Sequence, residues 1–164
     1  LAAVEALAER DGREFDVIHV SGSRDFAQVR DRLAAAGDPP GYTLLEYEPD
    51  LGDCLAACDL VLARSGGSGF ELTARGRPAI LVPYPYATGD HQTANADWMT
   101  EAGAAISIPD GELGADLLIE QVTAILGDEP RLTEMGDASA GLARPDASIE
   151  IAEAVLAAAE GSDQ

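Results

Sequence analysis

Arg64 opens the run Arg64-Ser65-Gly66-Gly67-Ser68-Gly69, and Glu71 follows two residues after the last glycine. Glycines at such a turn let the backbone approach a ligand closely, and the free N–H groups of a helix start favour an anion. The run is therefore either a phosphate seat or a glycine-rich turn that serves only to reverse the chain. Neither G-x-x-x-x-G-K-[ST] nor G-x-G-x-x-G is present to decide between them. Glu71 is an acceptor-only fork suited to the two hydroxyls of a ribose, or else a favourable charge at the positive end of its helix. Arg64 is either a charge partner for an anion or half of a surface ion pair worth little. A second stretch, "YPYATGDHQTANA", is long for a strand-to-helix connection; Asp90 is a natural N-cap for a helix carrying His91, Gln92 and Asn95. The Gln92 amide offers both a donor and an acceptor to a sugar hydroxyl. His91 has the chemistry of a general base, but no carboxylate in the sequence pattern partners it, which favours a capping or packing role.

These residues need a scaffold, and the chain supplies one by alternation. Short β-rich runs, "FDVIHV" (15–20), "YTLLEY" (42–47), "DLVLA" (59–63), "PAILVP" (78–83) and "AAISI" (104–108), are separated by stretches of helical spacing. In "DFAQVRDRLAAAG" the residues Phe26, Val29, Leu33 and Ala36 share one face, and Gly37 is the stop. After residue 110 three helix-like segments follow in a row, punctuated by Gly127, Pro130 and Pro145. Near-continuous apolar strands joined by helices predict an α/β fold, a Rossmann-like parallel sheet covered on both faces and ending in a helical segment. Ligands in such sheets bind beyond the carboxyl ends of the strands. Four loops qualify: 21–24, 48–50, 64–69 and 84–92.

Composition narrows the classes. A length of 164 residues with 46% hydrophobic content suits one compact domain. The chain starts at Leu1 inside the helix-like run "LAAVEALAER", so it reads as a piece of a longer protein. The formal charge of −20 sets 30 acidic residues against 10 basic ones, all arginine, which argues against nucleic-acid binding. Cys54 and Cys58 have no second Cys pair or nearby His to complete a zinc site and are expected to face the core. No Asp-x-Asp pair is present to seat a metal, so neither metal nor cofactor is expected. No run approaches the roughly 20 apolar residues of a membrane span.

The stretch "ARSGGSGFELTARGRPAILVPYPYATGDHQTANA" resembles the signature of the MurG family of bacterial glycosyltransferases. The resemblance continues through "IHVSG", "LEYEPDLGDCLAACDLVLA" and "EAGAA" to "RPDASIEIAEAVLAAA". It implies the C-terminal, nucleotide-sugar-binding half of a GT-B enzyme, truncated at its N-terminus and lacking the N-terminal acceptor and membrane domain. The activity implied is inverting transfer of N-acetylglucosamine (GlcNAc) from UDP-GlcNAc to lipid-linked MurNAc-pentapeptide in peptidoglycan synthesis. The location implied is cytoplasmic, peripheral on the inner face of the plasma membrane. In that likeness Glu71 grips the ribose, while Gly67, Ser68, Gly69 and Phe70 lie beside the sugar and diphosphate. Gln92 contacts the GlcNAc hydroxyls, Tyr47 and Glu48 meet uracil largely through main chain, and Arg64 opens the loop. No catalytic base is implied in this chain, since the family's candidate lies in the other half; alone the chain is expected to be inactive. Three departures stand out. Many members have one residue more between the arginine and the glutamate, which leaves the register of Gly69 and Phe70 open. Glu48 replaces an isoleucine, and the family's first C-domain strand with its glycine-rich phosphate loop belongs before Leu1. Two rival readings remain: another GT-B enzyme acting on a UDP-sugar, such as a lipid glycosyltransferase or a UDP-GlcNAc epimerase, and a non-enzymatic binding subunit of a split transferase.

Overall fold

The computed structural model describes residues 6–8 and 14–161. Five short strands, β1 (Val17–Val20), β2 (Tyr42–Leu45), β3 (Val61–Ala63), β4 (Ala79–Leu81) and β5 (Ala105–Ser107), alternate with helices. These are α1 (Phe26–Ala35), α2 (Leu51–Ala57), α3 (Gly69–Ala74) and α4 (His91–Glu101), followed by α5 (Ala115–Leu126), α6 (Glu129–Gly141) and α7 (Ala147–Gly161). The three consecutive helices after residue 110 are as the sequence predicts. Of the expected helix at the start, Ala6 to Ala8 are helical, and the remainder lies outside the described residues.

All strand pairs are parallel, but the described strands form two sheets rather than one, β1 with β2 and β3-β4-β5. The amides of Val17 and Ser21 bond to the carbonyls of Gly41, just before β2, and of Leu45, its last residue, so the intervening Ile18 and Val20 amides turn to the opposite edge. On β3, Val61 donates to Pro78 and Ala63 accepts from Val82, so Leu62 likewise faces away from β4. No described strand pairs with either free edge. Ile18 and Val20, on the face of β1 opposite the packed Val17, are 41% and 37% exposed, whereas every residue of β4 is 1% or less.

Both faces of the three-stranded sheet are covered. Ile80 points into a cluster with Leu118, Val122 and Ile125 of α5 and Met135 of α6. Ala79 and Leu81, on the other face by strand alternation, meet Leu55, Leu72, Ala96 and Met99 from α2, α3 and α4. Val17 of β1 and Leu62 of β3 pack against the first cluster, so one apolar layer underlies both sheets. Helices α3 and α4 are closed by left-handed glycines that hand the chain to the next strand. Gly76 (φ +60°) and Gly103 (φ +80°) donate to Thr73 and Thr100, and the following residues Arg77 and Ala104 reach back to Leu72 and Met99. The fully buried Ser139 of α6 donates its hydroxyl to the Arg77 carbonyl at 2.9 Å, and the Arg77 guanidinium caps the Cys58 carbonyl at the end of α2 at 2.7 Å. In contrast, Ile149, Ile151, Val155 and Leu156 of α7 are 58–64% exposed and join none of the cores.

Candidate functional site

The loops that leave β3 and β4 meet at the carboxyl end of the sheet and are tied together. Ser65 is buried, donates its hydroxyl to the Gln92 carbonyl at 2.7 Å, and has its own carbonyl held by the Asn95 side-chain amide at 2.9 Å. The glycine loop is therefore anchored to the first turn and a half of α4. Its later amides close a tight turn: Gly69, Phe70 and Glu71 donate to Gly66, Gly67 and Ser68 at 3.4, 3.4 and 3.0 Å. The amides of Gly67 and Ser68 find no acceptor among the described residues. A side chain at Gly66 or Gly67 would meet no protein atom within 4 Å, so packing does not require glycine there; the space lies open in front of the loop. Gly69 differs: it is buried, and a Cβ there would lie 3.7 Å from the Met99 sulfur.

Glu71 stands exposed in the first turn of α3, with no hydrogen bond or ion pair among the described residues. An ionised carboxylate in that state has both oxygens available to a diol. Phe70, one residue earlier, turns its ring the other way. It packs on Trp98 at 5.4 Å between centroids and lines a cleft of about 490 Å³ with Asn95, Leu142 and Arg144. The structure thus separates the Phe70 side chain from Glu71 and leaves only its main chain with the loop.

Arg64 and Gln92 are both already engaged. The Arg64 guanidinium pairs with Asp110, which follows β5, donates to the Val82 carbonyl at 3.2 Å, and lies over the Tyr84 ring at 5.6 Å. It braces the ends of β3, β4 and β5, and its charge is shared with Asp110. The Gln92 side-chain oxygen accepts from the Tyr84 backbone amide at 2.9 Å, so its NH₂ group is the part left to a ligand. Asp90 sits at the N-cap position of α4 but in the left-handed region (φ +54°). Its carboxylate accepts from the Thr93 hydroxyl at 2.6 Å rather than from a backbone amide. His91 is exposed at the first position of α4.

On the other sheet, Tyr47 is 74% exposed just beyond β2. The Glu48 carboxylate accepts from the Asp50 amide at 2.9 Å, closing the turn into α2. Cys54 and Cys58 are half-buried and unbridged, and burial pushes the Cys58 thiol up from its ordinary value. Among the described residues no group of three or more His, Cys, Asp or Glu is placed to hold a metal ion, and no helix is long and apolar enough to cross a membrane. The Ser65–Asn95 clasp and the Asp110 partner of Arg64 are not legible from the sequence. Asn95 lies in the helix that carries His91 and Gln92, but Asp110 carries no local signal.

Residues 1–151 match the model of the glycosyltransferase family 28 C-terminal domain. The chain is 42% identical over 151 residues to a curated protein of Halorhodospira halophila, covering 90% of this chain and 41% of that protein. It is 40% identical over 159 residues to one of Rubrobacter xylanophilus, covering 96% and 45%. Both are named UDP-N-acetylglucosamine--N-acetylmuramyl-(pentapeptide) pyrophosphoryl-undecaprenol N-acetylglucosamine transferase. The chain thus spans less than half the length of these relatives. Among solved structures, the crystal structure of Acinetobacter baumannii MurG superposes with a TM-score of 0.75 at 27% identity, over 86% of this chain and 41% of that one. The calicheamicin glycosyltransferase CalG4 shares the fold, with a TM-score of 0.68 at 23% identity over 96% of this chain and 39% of that one. With the family model matched across nine-tenths of the sequence, the chain belongs to the glycosyltransferase family 28 C-terminal domain family.

Proposed function

We propose that the chain is the donor-binding half of a MurG-type transferase, which moves GlcNAc from UDP-GlcNAc to the lipid-linked MurNAc-pentapeptide. The observation that carries this reading is the unpaired Glu71 carboxylate, one turn past an open glycine loop at the ligand edge of the sheet. A UDP-sugar laid along that edge places uracil on the main chain at Tyr47 and Glu48, the ribose hydroxyls on Glu71, and the diphosphate over Gly67 and Ser68. The transferred sugar then meets the Gln92 NH₂ group.

In an inverting displacement the acceptor hydroxyl loses a proton while the bond to UDP breaks, so negative charge grows on the departing diphosphate. The free amides of Gly67 and Ser68 are the donors available for that charge, with Arg64 behind them in a shared ion pair. The base and the acceptor site belong to the part of the protein outside residues 1–164, as does contact with the inner face of the membrane. The edges of β1 and β3, unpaired among the described residues, support a further strand lying between them. The test is transfer of labelled GlcNAc from UDP-GlcNAc to a lipid-diphosphate MurNAc-pentapeptide by the full-length gene product, in buffer containing EDTA. Turnover is expected; its absence with a folded, UDP-binding protein would overturn the assignment.

A further inference from the structure

Three of the four tyrosines, Tyr47, Tyr84 and Tyr86, are exposed in loops at the carboxyl ends of the strands, at 74%, 44% and 82%. The last two form a built feature rather than a loose loop. Ala87 donates to the Tyr84 carbonyl at 3.2 Å, which closes a turn with Pro85 and Tyr86 at its centre. Proline in the first central position fixes the backbone before any ligand arrives. The Tyr84 amide is held by the Gln92 side chain at 2.9 Å, and the Tyr84 ring carries the Arg64 guanidinium at 5.6 Å. The Tyr86 ring stands edge-on against Tyr84, at 5.6 Å between centroids and 70° between planes. Arg64, Tyr84 and Tyr86 thus form a continuous series of contacts that orients the outermost ring and still leaves it almost wholly open to solvent. An ordered aromatic ring held out at a ligand edge has its conformational entropy already spent and its apolar face unused. The ring is also uncharged on a chain of net charge −20, so it adds no repulsion toward an anionic ligand.

We propose that Tyr86, oriented by Tyr84, is a stacking platform for a pyranose ring at the transfer end of the groove. A pyranose presents C–H groups on one face, which suit the electron-rich face of a tyrosine, and hydroxyls at its rim, which suit the phenol and the Gln92 NH₂. Phosphate offers no apolar face, and uracil, which would also stack on an aromatic ring, lies at the Tyr47–Glu48 end in the donor pose proposed above. The inference rests on the donor-binding reading above, because Gln92 is the group that links the turn to the sugar. Two rings meet there, the GlcNAc of the donor and the sugar of the acceptor, and they share this chemistry.

The test compares wild type, Tyr86→Phe and Tyr86→Ala in the full-length gene product. Calorimetry would give dissociation constants for UDP and UDP-GlcNAc, and steady-state kinetics would give KM for the acceptor. Loss of an aromatic contact worth about 1 kcal/mol corresponds to roughly a fivefold to tenfold change. If the platform holds the donor sugar, Tyr86→Ala weakens UDP-GlcNAc by that factor and leaves UDP unchanged. If it holds the acceptor sugar, both donor constants stay and the acceptor KM rises by that factor. In either case Tyr86→Phe keeps most of the function. The proposal is overturned if Tyr86→Ala moves none of the three, or weakens UDP and UDP-GlcNAc equally. A wild-type protein that binds neither UDP nor UDP-GlcNAc would instead remove the donor-binding reading itself.

Discussion

The side-chain oxygen of Gln92 accepts the backbone amide of Tyr84 at 2.9 Å, so this residue fixes the β4 loop with one end of its amide and has only the NH₂ end for the sugar contact proposed above. The two tasks separate by substitution. Gln92→Glu keeps an acceptor for Tyr84 and loses the donor, whereas Gln92→Ala loses both. If the NH₂ group reads GlcNAc hydroxyls, both variants should narrow the preference for UDP-GlcNAc over UDP-GalNAc, by about tenfold for a buried hydrogen bond. Only Gln92→Ala should also lower the melting temperature. The measurement is kcat/KM for the two donors with full-length protein, and an unchanged ratio would assign Gln92 to the scaffold alone.

Arg64 and Asp110 form an ion pair whose side chains are 48% and 36% exposed, so its worth to stability is small, about 0–1 kcal/mol. Asp110→Asn should hardly move the melting temperature. It should, however, leave the guanidinium with a full charge beside the loop and tighten UDP binding. Titration of UDP at low and moderate salt checks this. Equal affinity at both ionic strengths in wild type and variant would show that Arg64 serves only to brace the strand ends.

Stability should fall on acidification before the carboxylates titrate, because of His19. Its ring is half-buried, its Nδ1 lies 2.8 Å from the Tyr42 hydroxyl, and burial lowers its pKa from the ordinary value near 6.5. The unfolded chain then binds the proton more readily than the folded one. The full stability is present above about pH 6.5 and is lost as pH falls through the lower folded value. His19→Phe should flatten the change in melting temperature between about pH 7.5 and 5.5. A slope equal to that of wild type would place the proton uptake elsewhere.

Ser139→Ala tests how α6 is held. The hydroxyl is fully buried and donates to the Arg77 carbonyl, so its loss strands an acceptor at a cost of about 1–3 kcal/mol. For a domain of this size that amounts to a fall of several degrees in melting temperature. Activity of the folded protein should be unchanged, as the hydroxyl holds Arg77 beyond the C-terminal end of α3, whereas Glu71 stands in its first turn.

The strands were legible because β-branched and leucine runs bounded by Gly, Pro and Asp leave little choice, and the glycine loop was legible because few other sequences turn that tightly. The division into two sheets was not. Nothing in "FDVIHV" or "DLVLA" says which neighbour each edge takes, since pairing is decided across long sequence separations. The position of Glu71 follows from its place after the glycines, but its freedom from partners does not. In a chain with ten arginines, that required knowing where Arg64, Arg75 and Arg77 go. Arg64 illustrates the limit most sharply: its type and position suggest an open anion clamp, and Asp110, brought in from beyond β5, occupies it. Phe70 does the same in reverse, since only the meeting of α3 with α4 gives its ring Trp98 to lie on.

Calorimetric titration of wild type and Glu71→Gln with UDP and with its 2′,3′-dideoxy analogue tests most directly whether Glu71 holds the ribose of a uridine diphosphate. Hydrogen bonds to a charged group are worth about 1.5–3 kcal/mol, so wild type should bind UDP at least tenfold more tightly than the analogue. Glu71→Gln should lose that preference while retaining its fold and its affinity for the analogue. A variant that still prefers UDP by the wild-type factor would contradict the account.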